Sequence, residues 1–152
     1  MTTAIHRRLD LLQSQRDPTV IGRVPSGYWV LGEVQVRLGY SLLIPDPIVS
    51  DLNALSADAR AQFLLDWGRL SQVTQTALGA LRVNLAIFGN VEPALHAHLI
   101  PRFATEPPLQ QPLQPWALDW EHAPRFDPHT HQSLIAQLRQ QAVRELAGDF
   151  CW

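Results

Sequence analysis

The stretch Gly89-Asn90-Val91-Glu92-Pro93-Ala94-Leu95-His96-Ala97-His98-Leu99-Ile100-Pro101-Arg102 carries the pattern on which the fold reading turns. From Leu95 to Pro101 it reads as an extended strand. Alternate side chains of a strand share a face about 6.5–7 Å apart, so His96 and His98 present both imidazoles to one small ligand. Leu95, Ala97 and Leu99 then face the other way, suited to packing beneath a helix. Upstream, Gly89-Asn90 supplies a turn whose backbone N–H groups and side-chain amide approach an anion closely. Downstream, Arg102 adds a planar, permanently charged donor. An imidazole with a pKa of about 6.5 is largely neutral at pH 7, hence nucleophilic, and leaves phosphorus well once protonated. One short segment thus holds a nucleophile candidate, cationic donors and close-approach backbone, the inventory that phosphoryl chemistry needs.

Working outward, Val83 to Phe88 reads as a strand that turns at Gly89-Asn90. Before it, Ser56 and Asp58 open a long helix in which Phe63, Trp67, Leu70, Val73, Ala77 and Leu81 recur every three or four residues on one face. This helix should cover a sheet. Gly68 inside it costs ~1 kcal/mol relative to Ala, which predicts close packing or a local irregularity there. Val20–Val24, Tyr28–Leu31 and Tyr40–Ile44 read as antiparallel strands broken by turn residues, and the alternation from Glu33 to Leu38 reads as a further half-buried strand or ribbon edge. Residues 3–16 carry Ile5, Leu9 and Leu12 at helical spacing.

Residues 104–127 are rich in Pro, Gln and Trp and show neither period, so they should wrap the surface irregularly, with Trp116 and Trp120 packed on the core. Asp127 as cap and Pro128 then open a C-terminal helix over about 128–147 with Leu134, Ile135, Leu138, Ala142 and Leu146 as its apolar stripe. Asn84 should pack or pair within its strand. His129 and His131 sit about 200° apart on that helix and form no site by themselves. The expectation is one α+β domain over 1–152: an antiparallel sheet of about five strands with a long central helix and a C-terminal helix.

The chain has 152 residues and a formal charge of −2. No basic stripe marks a nucleic-acid or anionic-membrane surface. All 12 basic residues are Arg, which excludes Schiff-base lysine chemistry and a P-loop lysine. The single Cys151 forms no internal disulfide, and a reducing, cytoplasmic setting fits. No apolar run reaches the length of a signal peptide or a membrane span.

The quoted stretch, preceded by Gly39-Tyr40-Ser41-Leu42-Leu43-Ile44-Pro45 and the long helix, resembles the histidine triad family of nucleotide hydrolases and transferases over roughly residues 25–105. It looks like the branch related to diadenosine tetraphosphate hydrolases. The family pattern is His-x-His-x-His, and Ala94 stands here at its first position. The resemblance implies that His96 attacks the α-phosphorus of a purine nucleotide, adenine first among them, such as a dinucleoside polyphosphate. A covalent nucleotidyl-imidazole then passes to water or another acceptor. It also implies that His98 contacts phosphate oxygens and helps the leaving group, that Asn90 beside Gly89 contacts phosphate, and that Arg102 aids positioning. Glu33, with Gln35 second, is the guess for the ribose partner. Ala94 should disturb the orientation and tautomer of His96 more than remove the nucleophile. No cofactor is required, although a divalent cation can accompany the nucleotide. A homodimer with meeting sheets is implied, and a nucleotide-binding module with little turnover is the alternative. A His-x-His metal centre is disfavoured, since the expected Glu four or five residues on is missing, Glu106 lying eight beyond His98.

Overall fold

The computed structural model describes residues 3–152. Thr3 caps helix α1 (Ala4–Gln13) by accepting from the His6 N–H, and Ile5, Leu9 and Leu12 form its buried face. Strands β1 (Val20–Val24), β2 (Gly27–Leu31) and β3 (Ser41–Pro45) follow. Helix α2 (Ala57–Leu78) leads into β4 (Arg82–Ile87) and β5 (Ala97–Arg102), and helix α3 (Pro128–Leu146) comes after the Pro-rich wrap. All pairings in the sheet are antiparallel, in the order β1-β2-β3-β5-β4. The expected α+β architecture is therefore present.

Two cores flank the sheet. On one face Leu95, Ala97 and Leu99 pack with Trp29 and Leu43 beneath Phe63, Leu70 and Val73 of α2 and Leu134, Leu138 and Ala142 of α3. On the other, Val30, Leu42, Ile44, Ala94 and Ile100 pack with Ile5 and Leu12 of α1 and Leu118 of the wrap. The alternation along each strand sends successive side chains to these two cores. Ser56 caps α2 from the Ala59 N–H, and Gly79 ends it at φ 62°, a left-handed conformation that glycine adopts without a Cβ penalty.

Several sequence expectations need correction. Glu33–Leu38 is a compact loop, not a strand, with only an isolated bridge from Val34 to Arg125. The buried Gln35 amide imposes it, donating to the Gly32 and Tyr40 carbonyls and accepting from the Gly39 N–H. That folds residues 32–40 onto themselves, and backbone groups a ladder would use are spent locally. Leu81 lies past the helix end and is exposed. A Cβ at Gly68 would meet nothing within 4 Å, so no close packing accounts for that glycine. The N-terminal helix spans residues 4–13, short of the full 3–16, and Asp17 beyond it is buried against Arg8. Among the described residues no helix is long and apolar enough to cross a membrane.

Candidate active site

His96 lies one residue ahead of β5 and His98 is its second residue. Both are buried, with ring centroids 4.8 Å apart at 67°. His96 Nδ1 is 2.7 Å from the Ala94 carbonyl oxygen. A carbonyl only accepts, so Nδ1 carries the proton and Nε2 keeps its lone pair free. The expectation that Ala94 disturbs the tautomer is thereby corrected: the backbone of residue 94, not its side chain, sets it. The methyl of Ala94 is itself packed, at 1% exposure, in the core shared with α1.

His98 Nδ1 is 2.7 Å from the Tyr40 hydroxyl. Burial pushes the Tyr40 phenol far above its usual pKa, against a smaller opposing pull from Arg8, so the hydroxyl keeps its proton, and as Nδ1 is its one acceptor among the described residues it donates there. The remaining proton of His98 then sits on Nε2, available to a substrate oxygen. Burial first, and the neighbouring His96 second, lower the His98 pKa to about 4, which leaves the ring neutral at pH 7. The Trp67 indole donates to the His98 carbonyl, tying β5 to α2.

Tyr40 was not among the candidates read from the sequence. A signal existed, since Leu42 pairs opposite His98 in the β3–β5 register and Tyr40 is two residues from Leu42, on the same face. The left-handed φ of 90° at Gly39 delivers the chain to that position. Trp116 departs from its expected place more sharply. It is 46% exposed, and its ring meets His98 at 5.1 Å and Phe88 at 4.4 Å instead of filling the core. Trp120 does pack inward, edge-on to Tyr40, with its indole bonded to the Pro115 carbonyl.

Among the described residues, none of the other candidates forms a hydrogen bond to either histidine. Arg102 is buried and all its nitrogens are engaged: Glu106 takes bonds from Nε and Nη2, Asn84 and the Leu113 carbonyl from Nη1, and the Gln110 and Gln111 carbonyls from Nη2. Arg102 therefore fastens the wrap to the sheet instead of offering a free donor. Asn84 pairs within this network, as expected. Glu33 is exposed, with its carbonyl bonded to the Phe126 N–H, and Gln35 is consumed by its own turn. Gly89 and Asn90 lie exposed on the β4–β5 loop, and a Cβ at Gly89 would meet open space. Among the described residues no group of three His, Cys, Asp or Glu side chains could hold a metal ion.

No family model matches this sequence, and no curated protein matches it. Solved structures do. A histidine triad protein from Bradyrhizobium japonicum is 22% identical with a TM-score of 0.71, over 93% of this chain and 98% of that one. A histidine triad protein from Marinobacter aquaeolei is 19% identical with a TM-score of 0.73, over 95% and 99%. A hypothetical histidine triad nucleotide-binding protein from Sulfolobus tokodaii is 18% identical with a TM-score of 0.70, over 94% and 97%. The likeness spans nearly the whole of each chain, and this protein has the fold of the histidine triad proteins.

Proposed function

We propose that the chain binds a purine nucleotide, adenine first among candidates, and transfers its nucleotidyl group through His96 to water or another acceptor. The observation that carries this reading is the Nδ1 contact of His96 with the Ala94 carbonyl, which leaves Nε2 as a free nucleophile beside His98. In the first step Nε2 bonds to the α-phosphorus and the bond from phosphorus to the leaving oxygen breaks, its electron pair departing with the leaving group. The His98 Nε2–H donates a hydrogen bond to phosphate oxygen as charge builds there. In the second step water attacks phosphorus and releases a proton to solvent, the P–N bond breaks with its electron pair returning to Nε2, and the neutral imidazole is restored as the nucleotide leaves.

The β4 edge is unpaired within the sheet and exposes Leu85, with Leu81 and Phe88 at its two ends, which supports a homodimer formed there. A dinucleoside polyphosphate is the substrate type the reading favours, in a cytoplasmic setting. The test is turnover of diadenosine tetraphosphate with mass-spectrometric capture of the nucleotidyl adduct under alkaline quench. His96→Ala should cost about a thousandfold or more and abolish the adduct. Unchanged turnover in that variant overturns the reading.

A further inference from the structure

A cavity of about 740 Å³ runs between β4 and the Pro-rich wrap, on the histidines' side of the sheet. Its floor includes Arg82, Asn84 and Ala86, which pair in register with Arg102, Ile100 and His98. Directly opposed residues of a ladder share a face, so the floor continues the surface that bears His98. Phe88 and Trp116 line the cavity and both touch His98, forming its border with the histidine pair. Both rings are about half exposed, at 45% and 46%.

The charge of this region opposes that of the chain. Arg102 and Arg37 share the single carboxylate of Glu106, and the side chain of Arg82, on the cavity floor, has no hydrogen bond or ion pair among the described residues. Three guanidiniums against one carboxylate leave an excess of positive charge, although the whole chain is formally −2. Apolar walls focus that field into the cavity. Arg82 lies opposite Arg102, four residues along from His98, which is about 13 Å at the rise of a strand. A single phosphate or a small amine does not span that length, whereas an extended chain of phosphates does.

We propose that this cavity is an oligophosphate site, and that it seats the leaving group of the transfer reaction with Arg82 on the distal phosphate and Trp116 over the chain. Its role in catalysis rests on the nucleotidyl reading of His96, but its anion preference does not. As Nε2 of His96 bonds to phosphorus, the P–O bond breaks and the oligophosphate departs as an oxyanion held by Arg82, with no proton required of the protein. Arg82 is exposed on the edge strand, so its replacement leaves the fold intact.

Calorimetric titration with inorganic tripolyphosphate tests the site directly. The wild-type protein should bind it, with affinity falling as salt rises. Arg82→Gln should weaken binding at least tenfold, while Arg16→Gln, which removes the same charge from an exposed position beyond α1, should leave it unchanged. Equal affinity in wild type and Arg82→Gln, or no binding, overturns the proposal. So does an Arg82→Gln variant that changes the oligomeric state with tripolyphosphate affinity unaltered, because a second copy then fills the cavity. In turnover, Arg82→Gln should raise KM at least tenfold for diadenosine tetraphosphate and leave adenosine 5′-phosphoramidate unaffected. Arg82-dependent tripolyphosphate binding by a protein that turns over neither substrate overturns the nucleotidyl reading and leaves the oligophosphate site standing.

Discussion

Strand β5 and the Pro-rich wrap bound the same histidine pair, and they are held in place by opposite means. Every residue of β5 is buried, and its backbone is laddered to β3 on one side and β4 on the other. The wrap has one short 3-10 turn at Pro115–Ala117 and no ladder. Its densest polar anchor is Arg102, whose guanidinium reaches the carbonyls of Gln110, Gln111 and Leu113 and the carboxylate of Glu106. A periodic backbone distributes its restraint over many weak bonds. A loop fastened at a few points, with one guanidinium carrying most of the polar contacts at its near end, concentrates that restraint, and single substitutions should separate the two.

The largest separation should come from Arg102→Met. Removing one partner of a buried, hydrogen-bonded charge pair costs about 3–5 kcal/mol, and here Glu106 keeps only Arg37 and the Phe103 N–H while the carbonyls of Gln110, Gln111 and Leu113 lose the guanidinium donor. Denaturant melts should register that loss, and hydrogen exchange should rise across 104–127 while the β5 amides remain protected. Joint loss of protection in both segments would break the comparison. The same network should make the protein acid-sensitive. Burial raises the Glu106 carboxyl, but bonds from Arg102 and Arg37 and the Phe103 N–H outweigh it and hold the pKa at about 2. A depressed carboxyl stabilises fully above its ordinary range, and that contribution is lost as pH falls toward 2. His98, lowered to about 4, acts in the same direction at milder acidity, since the unfolded chain takes up a proton there that the folded one refuses. Stability followed from pH 7 downward should therefore decline in two stages.

Ala94→His tests the framework side. The methyl sits in a filled core, so the larger ring should cost about 1–3 kcal/mol by overpacking. Because the carbonyl of residue 94 already fixes the tautomer, no gain in turnover should follow, and a large gain would show that an imidazole is needed there. Tyr40→Phe keeps the ring packing and removes the hydroxyl. Turnover should fall about tenfold, and the nitrogen resonances of His98 should report a mixed tautomer. Unchanged resonances would remove Tyr40 from any positioning role. Smallest of all, Gly68→Ala should stabilise by about 0.5–1 kcal/mol in thermal melts, since the added methyl meets open space within a helix.

The contrast between the two segments also explains what the sequence disclosed. The strands, α2 and α3 declared themselves because period and capping residues act over a few neighbouring positions, as Ser56 and Asp127 do at their helices. The histidine pair was legible for the same reason. Glu33–Leu38 misled because Gln35 satisfies the loop's backbone from within, which overrides an alternating pattern. The partners of the histidines lay out of reach of local pattern: Tyr40 is 58 residues from His98, and Trp116 arrives on a segment with no period of its own. Arg102 was legible as a charge beside the site, but its engagement depends on how residues 104–127 return to it.

The two outer strands of the sheet differ in a way that reaches beyond the single chain. Along β1, the Arg23 N–H and carbonyl pair with Cys151, and the Arg139 guanidinium takes the Val20 and Ile21 carbonyls. Those bonds occupy the groups an incoming strand would need, while no comparable cover lies over β4 among the described residues. A sheet that can be extended at one margin only is self-terminating: two copies joined edge to edge through β4 would consume the one growing end that the described residues leave on each, and polymerisation into a fibre would stop at two.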